Sequence, residues 1–105
     1  MSTVYIIQAS GERFDFQPAE RFGELSFVLD SRDSVFRLDD TLLKLSQRLS
    51  GFTKDDYLLP IGNPVLIGIA TALVSDMTGG RFHMLQWLGR EREYLSVPVV
   101  LWNGD

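Results

Sequence analysis

Cysteine is absent from the 105-residue sequence, which excludes disulfides, thiolate zinc sites, iron–sulfur clusters and cysteine nucleophiles. Histidine occurs once, at His83, so a single chain cannot build a multi-histidine metal site. A basic excess is also lacking: 10 Lys and Arg stand against 14 Asp and Glu, for a formal net charge of −4. Non-specific binding to nucleic acid or to an anionic membrane needs a positive field, and this balance argues against both. The charge is also too small, and too interspersed with arginine, for a nucleic-acid mimic. The longest apolar stretch, residues 65–74, contains Gly68 and Thr71 and is about half the roughly twenty residues a spanning helix needs. Residues 1–8 have no basic start and turn polar at Gln8, unlike a signal peptide. The expectation is a soluble protein of the cytoplasm, with no membrane partner and no cofactor.

Against these absences stand 45% hydrophobic and 23% charged residues, the balance of a folded chain, and a length that suits one domain. Residues 4–7, Val-Tyr-Ile-Ile, are a continuous β-branched and aromatic run and read as a buried strand. Residues 12–23 mix Phe14, Phe16 and Phe22 with charges. They read as a long ordered loop, in which Pro18 opens a helical turn through Arg21. Glu24–Leu29 is the second expected strand, followed by a polar break at residues 30–34.

Leu38, Leu42, Leu45, Leu49 and Phe52 recur at steps of four and three, the spacing of one helix face. Asp39 or Asp40 is the expected cap, and Gly51 the expected left-handed C-terminal residue. Residues 57–61 read as a third strand that Pro60 brings to its end. Asn63 then caps a second helix, with Pro64 in its first position, running over residues 64–77 and closing at Gly79-Gly80. Its sequence is apolar nearly all round, which predicts burial on more than one side. Gly68, Ala70 and Ala72 would allow close approach by a strand, a helix or a partner chain. Arg81–Leu88 and residues 94–102 read as two strands of a hairpin. The predicted fold is a small α/β domain with a five-stranded, mostly parallel sheet, an antiparallel C-terminal hairpin and two main helices, its crossovers right-handed.

The turn Gly62-Asn63-Pro64 lies between a strand's carboxyl end and a helix start, where anions bind in open α/β sheets. Pro64 removes one amide, however, and no phosphate-binding glycine motif is present. Gly62 and Asn63 are therefore read either as a plain turn and cap or, with Ser10 and Asp30, as the rim of a pocket for a small ligand or nucleotide. Asp55 and Asp56 enter a strand from its amino end and are read as solvated turn residues rather than a carboxylate pair. His83 shares a strand face with Arg81, Leu85 and Trp87 by alternation. With no G-x-S-x-G elbow anywhere, it reads as a structural or interface histidine. Phe82, Trp87, Tyr94 and Trp102 cluster on the hairpin, and their residue types are those enriched at protein interfaces. They are the interface candidates, implying a homo-oligomer or a protein partner, and no catalytic residue is assigned.

The order of features also resembles a known group. Arg21-Phe22-Gly23-Glu24-Leu25 precedes Asp55-Asp56-Tyr57-Leu58-Leu59, then Gly62-Asn63-Pro64 with an apolar helix, then Gly80-Arg81 and a strand carrying Trp87. Across most of the chain this is similar to small accessory proteins encoded by tailed bacteriophages, a family with no assigned chemistry. The resemblance implies a phage-encoded accessory protein and favours a binder; with no catalytic signature and more apolar faces than the chain can comfortably cover, the expectation is a non-enzymatic protein of the host cytoplasm, acting by contact with itself or with a host or phage protein. The resemblance carries over no functional residue, because its motifs are structural punctuation.

Overall fold

The computed structural model describes residues 2–9 and 15–102. Five strands, Thr3–Gln8 (β1), Glu24–Leu29 (β2), Tyr57–Leu59 (β3), Arg81–Leu88 (β4) and Glu93–Val100 (β5), form one sheet in the order β2-β1-β3-β4-β5. The first four are parallel to one another, and β5 runs antiparallel to β4. Two helices, Leu38–Arg48 (α1) and Pro64–Thr78 (α2), and two short 3-10 helices, Gln17–Arg21 and Val35–Arg37, complete the described elements. The α/β architecture read from the sequence is the one observed.

Strand β1 lies inside the sheet because it is apolar on both faces. Tyr5 and Ile7 belong to a core formed with Leu45, Leu49 and Phe52 around α1, and with Leu66, Ala70 and Val74 of α2. Val4 and Ile6 join Phe16, Ala19, Leu59, Leu85 and Tyr94 in a second core. Connectivity explains the division. From β1 the chain moves outward to β2, then returns past β1 to β3 and on to β4. Right-handed crossovers in opposite directions place their connections on opposite faces. The Gln17–Arg21 segment therefore covers one face and both helices the other. Ile6, Ile7, Leu45 and Leu49 are fully buried, each contributing on the order of 2 kcal/mol of apolar transfer.

Local chemistry sets the element ends. The Asn63 side chain accepts from the amides of Val65 and Leu66, Pro64 opens α2, and Gly79 ends it at φ 66°. The expected caps of α1 are not used. Ser34 caps the preceding 3-10 helix by accepting from Phe36 N, and the Thr41 hydroxyl donates to Ser34 O at 3.1 Å. Asp39 and Asp40 sit inside the first turn of α1 without a capping bond, where their charge complements the helix dipole. Gly51 is not left-handed: the positive-φ glycines are Gly23, Gly62, Gly79 and Gly80, and α1 closes on Leu49 in a right-handed conformation.

Helix α2 is buried on one side rather than several. Leu66, Ala70 and Val74, four residues apart, are its buried positions, whereas Val65 is 56% exposed and Gly68 faces open space. The reason is the layer count. Both helices lie on the same face of the sheet, so no further layer covers the outer side of α2.

Candidate functional site

In the observed strand order, the connections diverge at β1, and the crevice outside the carboxyl ends of β1 and β3 is where α/β sheets bind ligands. The sequence candidates Asp30, Gly62 and Asn63 do meet at this edge; Ser10 lies outside the described residues. A residue not singled out from the sequence, Gln8, joins them. Its amide nitrogen donates to Asp30 O at 3.0 Å and to Asp33 O at 2.8 Å, while its Oε1 accepts from Asn63 N at 3.2 Å. The carboxamide thus ties the β2–α1 loop to the β3–α2 turn. Gly62 has φ +122°, and a Cβ there would fall 2.6 Å from Gln8 Cβ, so only glycine lets the turn close over Gln8. Asn63 Oδ1 engages the amides of Val65 and Leu66 at 2.9 and 3.3 Å. A ligand at this edge would have to displace both the Gln8 carboxamide and the Asn63 cap.

Charge at the same edge is balanced internally. Lys44 Nζ lies 2.9 Å from Asp33 Oδ2 and 3.3 Å from Asp30 Oδ2, and Asp33 Oδ2 also accepts from Asp30 N at 2.8 Å. The Arg32 amide, then its guanidinium, then Lys44 hold the Asp30 carboxyl well below the usual carboxylate range. Hydrogen bonding to Asp33 raises the Lys44 ammonium. Lys44 projects from α1 toward the loop after β2, a pairing between distant segments that no short spacing announces.

At the opposite edge, Asp56 is a structural carboxylate rather than a solvated turn residue. It is 6% exposed, accepting from Thr3 N at 2.8 Å and from Thr53 N and Oγ1 at 2.8 and 3.0 Å. It thereby anchors the start of β1 to the loop before β3, and its charge adds to burial in raising the Tyr5 phenol. Asp55 remains exposed. A cavity of about 650 Å³ also lies at this edge, between Ser2 and the Glu20–Leu25 segment. His83 packs against Tyr57, ring centroids 5.3 Å apart, and donates from Nδ1 to Lys54 O at 3.1 Å, since a carbonyl can only accept.

The four hairpin candidates divide by face and cover. Phe82 is buried in the helix-side core and Tyr94 in the opposite one, and burial raises the Tyr94 phenol. Trp87 pairs with Tyr94 across the hairpin, rings 4.9 Å apart, and keeps 42% of its surface exposed. Trp102 is 65% exposed. Its indole lies so close over Gly80 that a Cβ there would meet Cδ1 at 2.4 Å, while the Leu101 amide donates to Gly80 O at 2.9 Å. The chain beyond β5 is thus laid across the end of α2 with an apolar ring facing solvent. Leu95, Val97, Val100 and Leu101 are also exposed. Arg21, from the opposite cover, bonds Tyr94 O at 3.0 Å and fastens that cover to β5.

Among the described residues, no group of three or more His, Asp or Glu side chains is placed to hold a metal ion, and no helix is long and apolar enough to cross a membrane. No curated protein and no solved structure matches the chain. A family model described as "Phage Pam3 gp32-like protein" matches residues 2–101, from the anchored start of β1 to the segment lying on Gly80. With the match running across every element of the sheet, the chain belongs to the Phage Pam3 gp32-like protein family.

Proposed function

We propose that this phage-family protein acts without catalysis, by protein–protein contact through the β4–β5 hairpin and the residues that follow it. In this reading it self-associates, or binds a host or phage protein, in the cytoplasm of the infected cell. The observation carrying the reading is where apolar surface remains uncovered. Among the described residues, six of the twelve exposed large hydrophobic residues fall from Trp87 to Trp102, in a segment where one strand has a neighbour on a single side. Two of the six are Trp87 and Trp102, and tryptophan is among the residue types that dominate binding energy at interfaces. Among the described residues of the carboxyl edge, Gln8, Asp30, Asp33, Lys44 and Asn63 are engaged with one another or with local backbone, which supports the non-catalytic part of the proposal.

Light scattering after size exclusion, over a dilution series of wild type and Trp102→Ala, tests the self-association form. The expected result is an oligomer that resists dilution and that the substitution dissociates. Trp102 is mostly exposed, so the variant should keep its fold, which circular dichroism checks. A monomer at every concentration, unchanged by the substitution, would overturn self-association through this surface.

A further inference from the structure

Beside the hairpin lies a smaller cleft, of about 170 Å³, at the amino ends of β3 and β4. Its walls include Lys54, Asp55, Arg81, His83, Pro98 and Val100. Lys54 and Arg81 are both exposed and, among the described residues, neither takes part in an ion pair. The lining therefore includes two residues with cationic side chains outside any ion pair among the described residues, beside one carboxylate residue, Asp55, in a chain whose overall charge is −4. Their backbones are fixed relative to each other. His83 ties the Lys54 carbonyl to β4 at 3.1 Å, two residues along the strand from Arg81, and Tyr57 backs the His83 ring. Asp56 pins the same loop from within through Thr53.

We infer that this cleft binds a small oxyanion, a carboxylate or a phosphate, held between the Lys54 ammonium and the Arg81 guanidinium. The guanidinium supplies a planar fork that fits either group, and the ammonium a mobile point charge. His83 positions the two by holding the Lys54 backbone, and Pro98 and Val100 form an apolar side against which the stem of an organic anion packs.

An NMR titration tests the inference, reading the His83 ring and the amides of Lys54 and Arg81. The probes are sodium acetate and sodium phosphate, each against sodium chloride at matched ionic strength and fixed pH. Saturable shifts at these three residues are expected, with Lys54→Gln and Arg81→Gln each weakening binding about five- to tenfold. Arg92→Gln, in the hairpin turn away from the cleft, should leave it unchanged. Saturation with acetate alone identifies a carboxylate site and with phosphate alone a phosphate site; either supports the inference. Linear shifts with both anions, or equal weakening by Arg92→Gln, would overturn it. The dispersed amide spectra of the same samples establish that each variant is folded.

Discussion

Two side chains, Gln8 and Asp30, organise the carboxyl edge of the sheet, and they do so in chemically different ways. Gln8 is neutral and uses both ends of its amide, so its bridge is insensitive to pH. Asp30 is ionised and is held in that state by the Arg32 amide first, then by Arg32 and Lys44. Its folded carboxyl therefore takes up a proton at lower pH than in the unfolded chain, where the ordinary value is about 3.9. In that window the unfolded state binds more protons, so stability is complete above it and is lost as pH falls through it. The urea midpoint of the wild type should drop between about pH 5 and pH 3, and Asp30→Asn should show a shallower drop. A variant profile as steep as the wild type's would remove Asp30 from this account. The sequence pointed to Asp30 because strand ends in a parallel sheet share an edge. Gln8 escaped notice because a polar residue closing an apolar run reads simply as the end of a strand.

Among the elements, the two helices differ in how openly their boundaries are written. Asn63-Pro64 and Gly79 are short-range signals, and α2 begins and ends where they stand. The start of α1 is set by an exchange between Ser34 and Thr41, seven residues apart, while the nearer aspartates only look like caps. Replacing a capping Asn by Ala should cost about 1 kcal/mol, so Asn63→Ala is expected to lower the unfolding free energy by that amount in urea titrations. Asp39→Ala removes only a charge near a helix start and should cost about 0.3 kcal/mol. Equal losses for the two would contradict the assignment of caps. The exposed side of α2 has a related lesson. An all-apolar helix suggests enclosure, but enclosure depends on how many layers the rest of the chain can supply, and both helices here went to one face.

For the molecule as a whole, alternation along each strand was legible: β4 carries Arg81, His83, Leu85 and Trp87 on one face, and β1 is apolar on both. What covers each face was not, since cover comes from segments distant in sequence. Phe82 and Tyr94 disappear into two different cores, while Trp87 and Trp102 stay at the surface. Strand order was equally unwritten, because pairing is settled by long-range packing and by the direction of each crossover. One consequence of that order concerns polymer growth. One of the two edge strands, β5, is eight residues long and carries Pro98, which has no amide hydrogen to offer an incoming strand. Such a residue keeps sheets from adding to one another edge to edge. Pro98→Val would restore the missing donor on a β-branched, apolar strand, and the variant should form thioflavin-positive fibrils at concentrations where the wild type stays clear. The single ring at position 98 would then mark the difference, at the β5 edge, between a sheet that stops there and one that propagates through its neighbours.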